Sequence, residues 1–110
     1  MFIISQTASY SWPVTVEVPV SGGKFEKQSF DAEFKRLPQS QIVELRDAEG
    51  TTDIAFAREV LVGWKGIHDA NKQELPYSES ARDMLLDIPT VATAVVMAFF
   101  ASLSGSKAKN

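Results

Sequence analysis

The sequence VLVGWKGIHD at residues 60–69 decides the expected fold, together with LPYS at 75–78 and the apolar run at 88–103. Apolar residues lead into the first stretch at intervals of three and four, the spacing of one helical stripe: Ile54, Ala57, Val60, Leu61 and Trp64. We therefore predict a helix that begins near Thr52 and that the glycines within the quoted stretch weaken and bend. A polar turn and a strongly apolar helix are expected to follow.

Length and composition predict one folded domain. The chain has 110 residues, of which 45% are hydrophobic and 23% charged, so wholesale disorder is not expected. Its net charge of −3 provides no basic field for phosphates, and nucleic acid is not expected as a partner. We expect a single domain over residues 1–110, with a sheet region at 1–37, a helical region at 38–104 and a flexible tail at 105–110.

The sequence predicts neither a disulfide framework nor a membrane segment. The absence of cysteine excludes disulfides and thiolate metal sites, and it suits a reducing cytoplasm. The first residues lack the basic flank and long apolar region of a secretory signal. As a helix, the run at 88–103 would be about 24 Å long, which is short for a bilayer crossing. We expect no membrane association.

Two strands are expected near the amino terminus. Apolar and other residues alternate from Val14 to Val20, which is the pattern of a half-buried strand. Pro13 and Pro19 cannot donate ladder hydrogen bonds, so this strand should lie at a sheet edge or turn those positions away from its partner. A Gly-Gly pair at residues 22–23 then predicts a hairpin turn.

The register of this hairpin has two solutions. A two-residue loop at the Gly-Gly pair would pair Val20 with Phe25 and leave the other valines opposite polar residues. A three-residue loop through Lys24, or a bulge near Ser29, would instead bring Val16 and Val14 beside Phe30 and Ala32. We favour the second register. Residues 2–4 and 10–12 are expected to add a short strand to the same sheet.

Four helices are expected in total, one before the helix at Thr52 and two after it. Good helix formers predict the first at residues 39–48, with Ile42 and Leu45 inward and Gly50 ending it. Residues 69–72 read as a turn, since Asn tolerates the left-handed conformation. Ser78 is the expected N-cap of a helix that buries three apolar residues: Met84, Leu85 and Ile88. Pro89 should end that helix and begin the last one. The fold class is α+β, an antiparallel hairpin or small sheet followed by about four helices.

Candidate catalytic and metal sites are weak. His68 is the only histidine, which excludes sites built on paired imidazoles and indicates a surface side chain. A calcium loop starting at Asp69 would place Glu74 where glycine is needed and Ser80 where a bidentate glutamate is needed. Asp83 and Asp87 share a helical face, but exposed acidic residues are common there. We expect no enzymatic activity, no cofactor and no metal site.

The last helix is the most informative feature, because it is apolar around most of its circumference. Six large side chains occupy two of its sides: Val91, Val95, Phe99 and Leu103 on one, Val96 and Phe100 on the other. Either the fold wraps the helix completely, or part of it meets another chain. These six residues are the candidate partner-binding residues.

The order of short motifs resembles the tail assembly chaperones of long-tailed bacteriophages. A Val-rich strand and Gly-Gly precede FDAEFKRL at 30–37 and VLVGWKGI at 60–67. LPYS at 75–78, LLDIP at 85–89 and an apolar closing helix with FF at 99–100 then follow. The likeness covers most of the chain.

The resemblance implies a non-enzymatic helper that binds the hydrophobic tape measure protein and keeps it from aggregating before the tail tube assembles. Such proteins act in the cytoplasm of the infected bacterium and are absent from the mature virion. Many have a longer, frameshifted form that recruits the tail tube protein, and this chain looks like the short form. We also expect a homo-oligomer. The alternative is a structural tail subunit that self-assembles through its hairpin.

Overall fold

A three-stranded antiparallel sheet and four helices form the protein in a computed structural model that describes residues 1–105. The expected tail at 105–110 therefore lies, apart from Gly105, outside the described residues. The elements in chain order are β1 (Ser9–Val20), β2 (Lys24–Lys35), α1 (Gln39–Asp47), α2 (Asp53–Val60), β3 (Leu61–Lys65), α3 (Glu79–Leu86) and α4 (Val91–Leu103). The strand order is β1-β2-β3, and the predicted α+β class is confirmed.

The hairpin has a three-residue loop at residues 21–23, but the favoured register is wrong by two residues. Val14 pairs with Phe30, and Trp12 rather than Val14 pairs with Ala32. Because side chains alternate with a period of two, a shift of two residues keeps the same side chains on the core face. Of the two expected additions, residues 10–12 lie inside β1, whereas residues 2–4 belong to no strand of the described chain.

The two prolines of β1 occupy positions that face away from β2. The Ala8 carbonyl accepts a hydrogen bond from the Arg36 amide, on the β2 side, whereas the Glu17 carbonyl accepts from the Thr90 hydroxyl on the opposite side. Backbone groups of alternate residues point in opposite directions in an antiparallel pair. Pro13 and Pro19 share the outward direction of Glu17, so their missing N–H groups cost the sheet no hydrogen bond.

The predicted helix from Thr52 to Trp64 ends early, at Val60. Thr52 is its N-cap, as its hydroxyl accepts from the Ala55 amide, but Leu61 is already extended and begins β3. β3 pairs with β2, placing Trp64 opposite Ala32. Residues 61–65 combine strand-favouring side chains with a glycine. Hydrogen bonds to β2 therefore favour a strand here over continuation of the helix that the apolar spacing predicted. The helical region expected at 38–104 thus contains a strand.

The core lies between one face of the sheet and helices α2 and α4. Its largest fully buried side chains include Phe34 from β2 and Phe99 from α4. Their rings meet edge to face with centroids 5.5 Å apart, and Phe56 of α2 contacts Phe99 at 5.7 Å. Such aromatic contacts add to the free energy gained by burying the rings. Phe99 is therefore the point at which the sheet, α2 and α4 meet.

α3 buries a different face from the one predicted. Met84 and Ile88 were expected inward but are 70% and 50% exposed, Leu85 is partly buried, and Ala81 and Leu86 are buried instead. Since α3 ends at Leu86, Ile88 is not on the helix at all. Packing against α2 and α4 determines which side of α3 faces the core. The spacing of apolar residues alone did not reveal that side.

The connection from α3 to α4 turns sharply, with the two helix axes bent by 103°. Pro89 does not begin α4 as expected. It precedes Thr90, which caps the helix in the left-handed region at φ 75° without a capping hydrogen bond from its side chain. A β-branched residue is strained in that region. The Thr90 hydroxyl donates instead to the Glu17 carbonyl, which fixes the start of α4 on β1.

Ser78→Ala is expected to lower the free energy of unfolding by about 1 kcal/mol. The Ser78 hydroxyl accepts a hydrogen bond of 3.0 Å from the Ala81 amide, as predicted for the N-cap of α3, and alanine cannot replace it. Urea denaturation followed by circular dichroism measures the change. Ser80→Ala, in the first turn of the same helix, is the control because the capping hydrogen bond goes to Ser78, and it should be neutral or slightly stabilising. Equal stability of the two variants would contradict the capping role.

Candidate protein-binding surface

One side of α4 is apolar and faces solvent. Met97 is 68% exposed and Leu103 is 49% exposed, while Val96 and Phe100 are partly buried. Val96, Phe100 and Leu103 lie four and three positions apart along one side of the helix, and Met97, three positions before Phe100, borders that side. We call Val96, Met97, Phe100 and Leu103 the exposed α4 face.

Three of the six predicted partner-binding residues lie in the core. Val91, Val95 and Phe99 are buried there, and they cannot meet a partner without disrupting it. Of the other three, Leu103 is exposed, while Val96 and Phe100 are partly buried and also pack against the core, with the Phe100 and Phe56 ring centroids 5.3 Å apart. These three belong to the exposed α4 face. Their contact with a partner stays a prediction.

Met97 is the most exposed member of the exposed α4 face, yet sequence reasoning missed it. Its position three residues before Phe100 places it on the same side of the helix and provided a signal for it. We therefore add Met97 to the three predicted residues that remain at the surface.

Polar contacts hold α4 in place along its length. Near its end, the Ser102 hydroxyl donates to the Phe99 carbonyl, so the Tyr10 hydroxyl, 2.6 Å away, is the donor to Ser102. In the first turn, the Thr93 hydroxyl donates to the Asp53 carboxylate at 3.0 Å. These contacts reach α4 from β1 and α2. The exposed α4 face is therefore presented on a fixed element, which reduces the entropy lost on binding.

Two grooves flank the helices. The first, of about 750 Å³, separates β1 from α4 and extends the exposed α4 face, with Met97, Ala101, Trp12 and Phe25 in its lining. The second, of about 620 Å³, lies between the hairpin and α3. We call it the hairpin–α3 groove. Its apolar lining includes Val16, Val18, Phe30, Ile67, Met84 and Ile88.

The segment around residues 75–78 packs against β3. Trp64 and Tyr77 meet edge to face with ring centroids 5.0 Å apart, and the Trp64 indole N–H donates to the Leu75 carbonyl at 2.8 Å. The Tyr77 hydroxyl donates to the Leu61 carbonyl at 3.2 Å. These contacts cover the edge of β3 and position α3.

Trp64→Phe is expected to reduce the free energy of unfolding by about 1–2 kcal/mol, because the Leu75 carbonyl loses its donor while an aromatic ring remains. Chemical denaturation with tryptophan-independent detection, such as far-ultraviolet circular dichroism, gives the difference. The matched comparison is Trp12→Phe in β1, because the Trp12 indole N–H has no hydrogen-bond partner among residues 1–105. If the two variants lose the same stability, the indole hydrogen bond is not what holds the segment around residues 75–78 against β3.

The polar turn at residues 69–72 has the expected form with one difference. The Asp69 carboxylate accepts hydrogen bonds from the Asn71 and Gln73 amides at 2.9 and 3.0 Å. Lys72, not Asn71, takes the left-handed conformation, with φ 61°. His68 is exposed and pairs through its backbone with Glu74. These contacts are those of a solvated turn.

Asp83 of α3 pairs with two arginines. Asp83 accepts from Arg58 at 3.2 Å and from Arg82 at 3.1 Å. The Arg58–Asp83 pair is half-exposed and contributes little stability. Burial lowers the pKa of Arg82, but its hydrogen bond to Asp83 and the proximity of Tyr77 outweigh it, so the pKa is raised and the guanidinium stays charged. Within residues 1–105, His, Asp and Glu side chains form no group of three that could hold a metal ion.

Comparison with known families provides the class of the protein. The sequence model of a family described as YdaY prophage protein matches residues 26–102, from β2 into the last turn of α4. This match over more than half of the chain defines a protein of phage origin. The chain belongs to the YdaY prophage protein family. The predicted bacteriophage association is thereby confirmed.

The other comparisons add no relative. No curated protein and no solved structure gives a significant match to the chain. Along the described residues no single helix is long and apolar enough to cross a membrane; α3 and α4 would pass that test only together, and they are bent by 103°.

Proposed function

We propose that the protein is a tail assembly chaperone that binds the phage tape measure protein during tail morphogenesis. Its phage origin and the order of its motifs support this function. The single observation that carries the proposal is the exposed α4 face, since large apolar side chains on a fixed helix mark a protein-binding surface.

The mechanism is shielding of apolar surface. A tape measure protein that awaits assembly exposes apolar helical segments, and such a segment can lay its apolar side along the exposed α4 face. Burial contributes about 25 cal/mol per Å² of apolar surface, so a patch of four large side chains provides useful yet reversible affinity. Reversibility matters, because the chaperone must leave before the tail tube forms around its client.

The remaining elements of the proposal follow from the resemblance to tail assembly chaperones. The protein acts in the cytoplasm of the infected bacterium, is absent from the mature virion and performs no enzymatic reaction. A longer form produced by frameshifting would bring the tail tube protein to the same complex.

A structural tail subunit is the second candidate, since β1 is an edge strand to which another copy could add. The outward positions of Pro13 and Pro19 oppose this function, because proline offers no N–H to an incoming strand. Mass spectrometry of purified particles separates the two functions: a tail subunit is present in stoichiometric amounts, whereas a chaperone is missing.

Co-expression with the tape measure protein encoded by the same prophage tests the proposal. We expect the client to move from the insoluble to the soluble fraction and to co-purify with the tagged chaperone, because its apolar segments are covered. An unrelated aggregating protein, expressed in the same way, is the control and should stay insoluble. Unchanged aggregation of the tape measure protein would remove the chaperone function.

A further inference from the structure

An exposed apolar segment precedes the sheet. Phe2, Ile3 and Ile4 are 83%, 61% and 91% exposed, although side chains of this kind are usually buried. We call residues 2–4 the N-terminal arm. Three adjacent large apolar side chains in water indicate a segment that another surface covers.

The hairpin–α3 groove has matching chemistry. Among the described residues that line it, the polar ones are Gln28, Ser29 and His68, and none is Asp, Glu, Lys or Arg. Met84 and Ile88 on its rim are 70% and 50% exposed, so the groove is apolar and open to solvent. An uncharged apolar segment such as the N-terminal arm suits it, whereas a strongly charged helix would find no ionic partner in the lining.

The arm does not fill the groove of its own chain. Phe2, Ile3 and Ile4 are each at least 61% exposed, and none of them lines the groove. The arm and the groove of one chain are therefore both open to a second copy.

We propose that the N-terminal arm of one copy occupies the hairpin–α3 groove of a second copy, and that the exchange is reciprocal. The arm leaves one end of the hairpin, while the groove lies toward the other end. Two copies placed antiparallel therefore bring each arm beside the other's groove. The arrangement closes on itself with two-fold symmetry and produces a dimer rather than a chain of subunits.

Cross-linking between introduced cysteines tests the contact directly, because the natural sequence contains no cysteine. Ile3→Cys is mixed with Met84→Cys under mild oxidation, and the products are identified by non-reducing electrophoresis and peptide mass spectrometry. Met97→Cys is the matched control, since Met97 and Met84 are exposed to 68% and 70%. A disulfide forms only where the two Cα atoms approach within about 7 Å.

We expect a cross-link of residue 3 to residue 84 between chains and none to residue 97. A cross-link to residue 97 in place of residue 84, or no cross-link at either position, would overturn the proposal. So would an intramolecular disulfide in a dilute chain that carries both Ile3→Cys and Met84→Cys.

Sedimentation equilibrium provides a second test. The unchanged protein should be a dimer, and the double variant Phe2→Ser/Ile4→Ser should raise the dimer Kd by about a hundredfold, as two apolar contacts are lost per arm. A monomeric unchanged protein, or a variant that dimerises equally well, would reject arm exchange. These substitutions leave the exposed α4 face intact, so the test succeeds or fails separately from the chaperone function.

Discussion

Replacing Phe99 by alanine is expected to remove about 3–5 kcal/mol from the free energy of unfolding. The Phe99 ring is 1% exposed and contacts the rings of Phe34 and Phe56 at 5.5 and 5.7 Å. Its removal leaves a cavity where the sheet, α2 and α4 meet, and the surrounding side chains are held too firmly to fill it. For a domain of ordinary stability, this loss is a large part of the total free energy of unfolding.

Urea denaturation at constant temperature measures the loss, and Phe25→Ala is the control. Phe25 lies near the hairpin loop with 65% of its surface exposed, so its truncation should change stability by less than about 0.5 kcal/mol. If Phe99→Ala changed the free energy of unfolding as little as Phe25→Ala, Phe99 would not be part of the core. The prediction that Phe99 contacts a partner would then stand again.

Under the proposed chaperone function, the double substitution Met97→Glu/Leu103→Glu is expected to abolish solubilisation of the tape measure protein without unfolding the variant protein. Both residues belong to the exposed α4 face and are at least about half exposed, so carboxylates at these positions remain hydrated in the free protein. In the complex, the same carboxylates would have to be buried against apolar client surface without a partner. That cost exceeds the modest free energy of a reversible complex.

Co-expression and affinity purification reveal the loss, and circular dichroism confirms the fold. Met84→Glu is the matched control, because Met84 is equally exposed but lies on α3. It should leave the solubility of the client unchanged. Retained solubilisation by the Met97→Glu/Leu103→Glu variant would exclude the exposed α4 face as the client site, and the loss of activity in the control alone would move that site to α3.

The hairpin and most helix boundaries were predictable because their signals are local. Alternating valines define β1, the capping hydroxyls of Thr52 and Ser78 define where α2 and α3 begin, and Gly22 and Gly23 adopt the positive φ angles that their turn requires. The register was not predictable to the residue. Shifts of two residues preserve the buried face and differ only in cross-strand neighbours.

The strand β3 and the division of α4 depend on tertiary contacts. Leu61 and Trp64 fit a helical stripe equally well, and only pairing with β2 makes the strand preferable. Likewise, the composition of α4 shows that two sides of the helix need cover, but not which one the fold covers. Contacts from Phe34, Phe56 and Tyr10 decide this question, since they come from distant parts of the chain.

The outward prolines of β1 affect how readily the protein aggregates in a crowded cell. An unprotected edge strand is a template on which cross-β fibrils grow by successive addition of chains. Pro13 and Pro19 interrupt the row of donors on this edge, and the Thr90 hydroxyl occupies one of its acceptors. Under the proposed chaperone function, the protein would expose apolar helical surface to an aggregating client without offering the β1 edge for fibril growth.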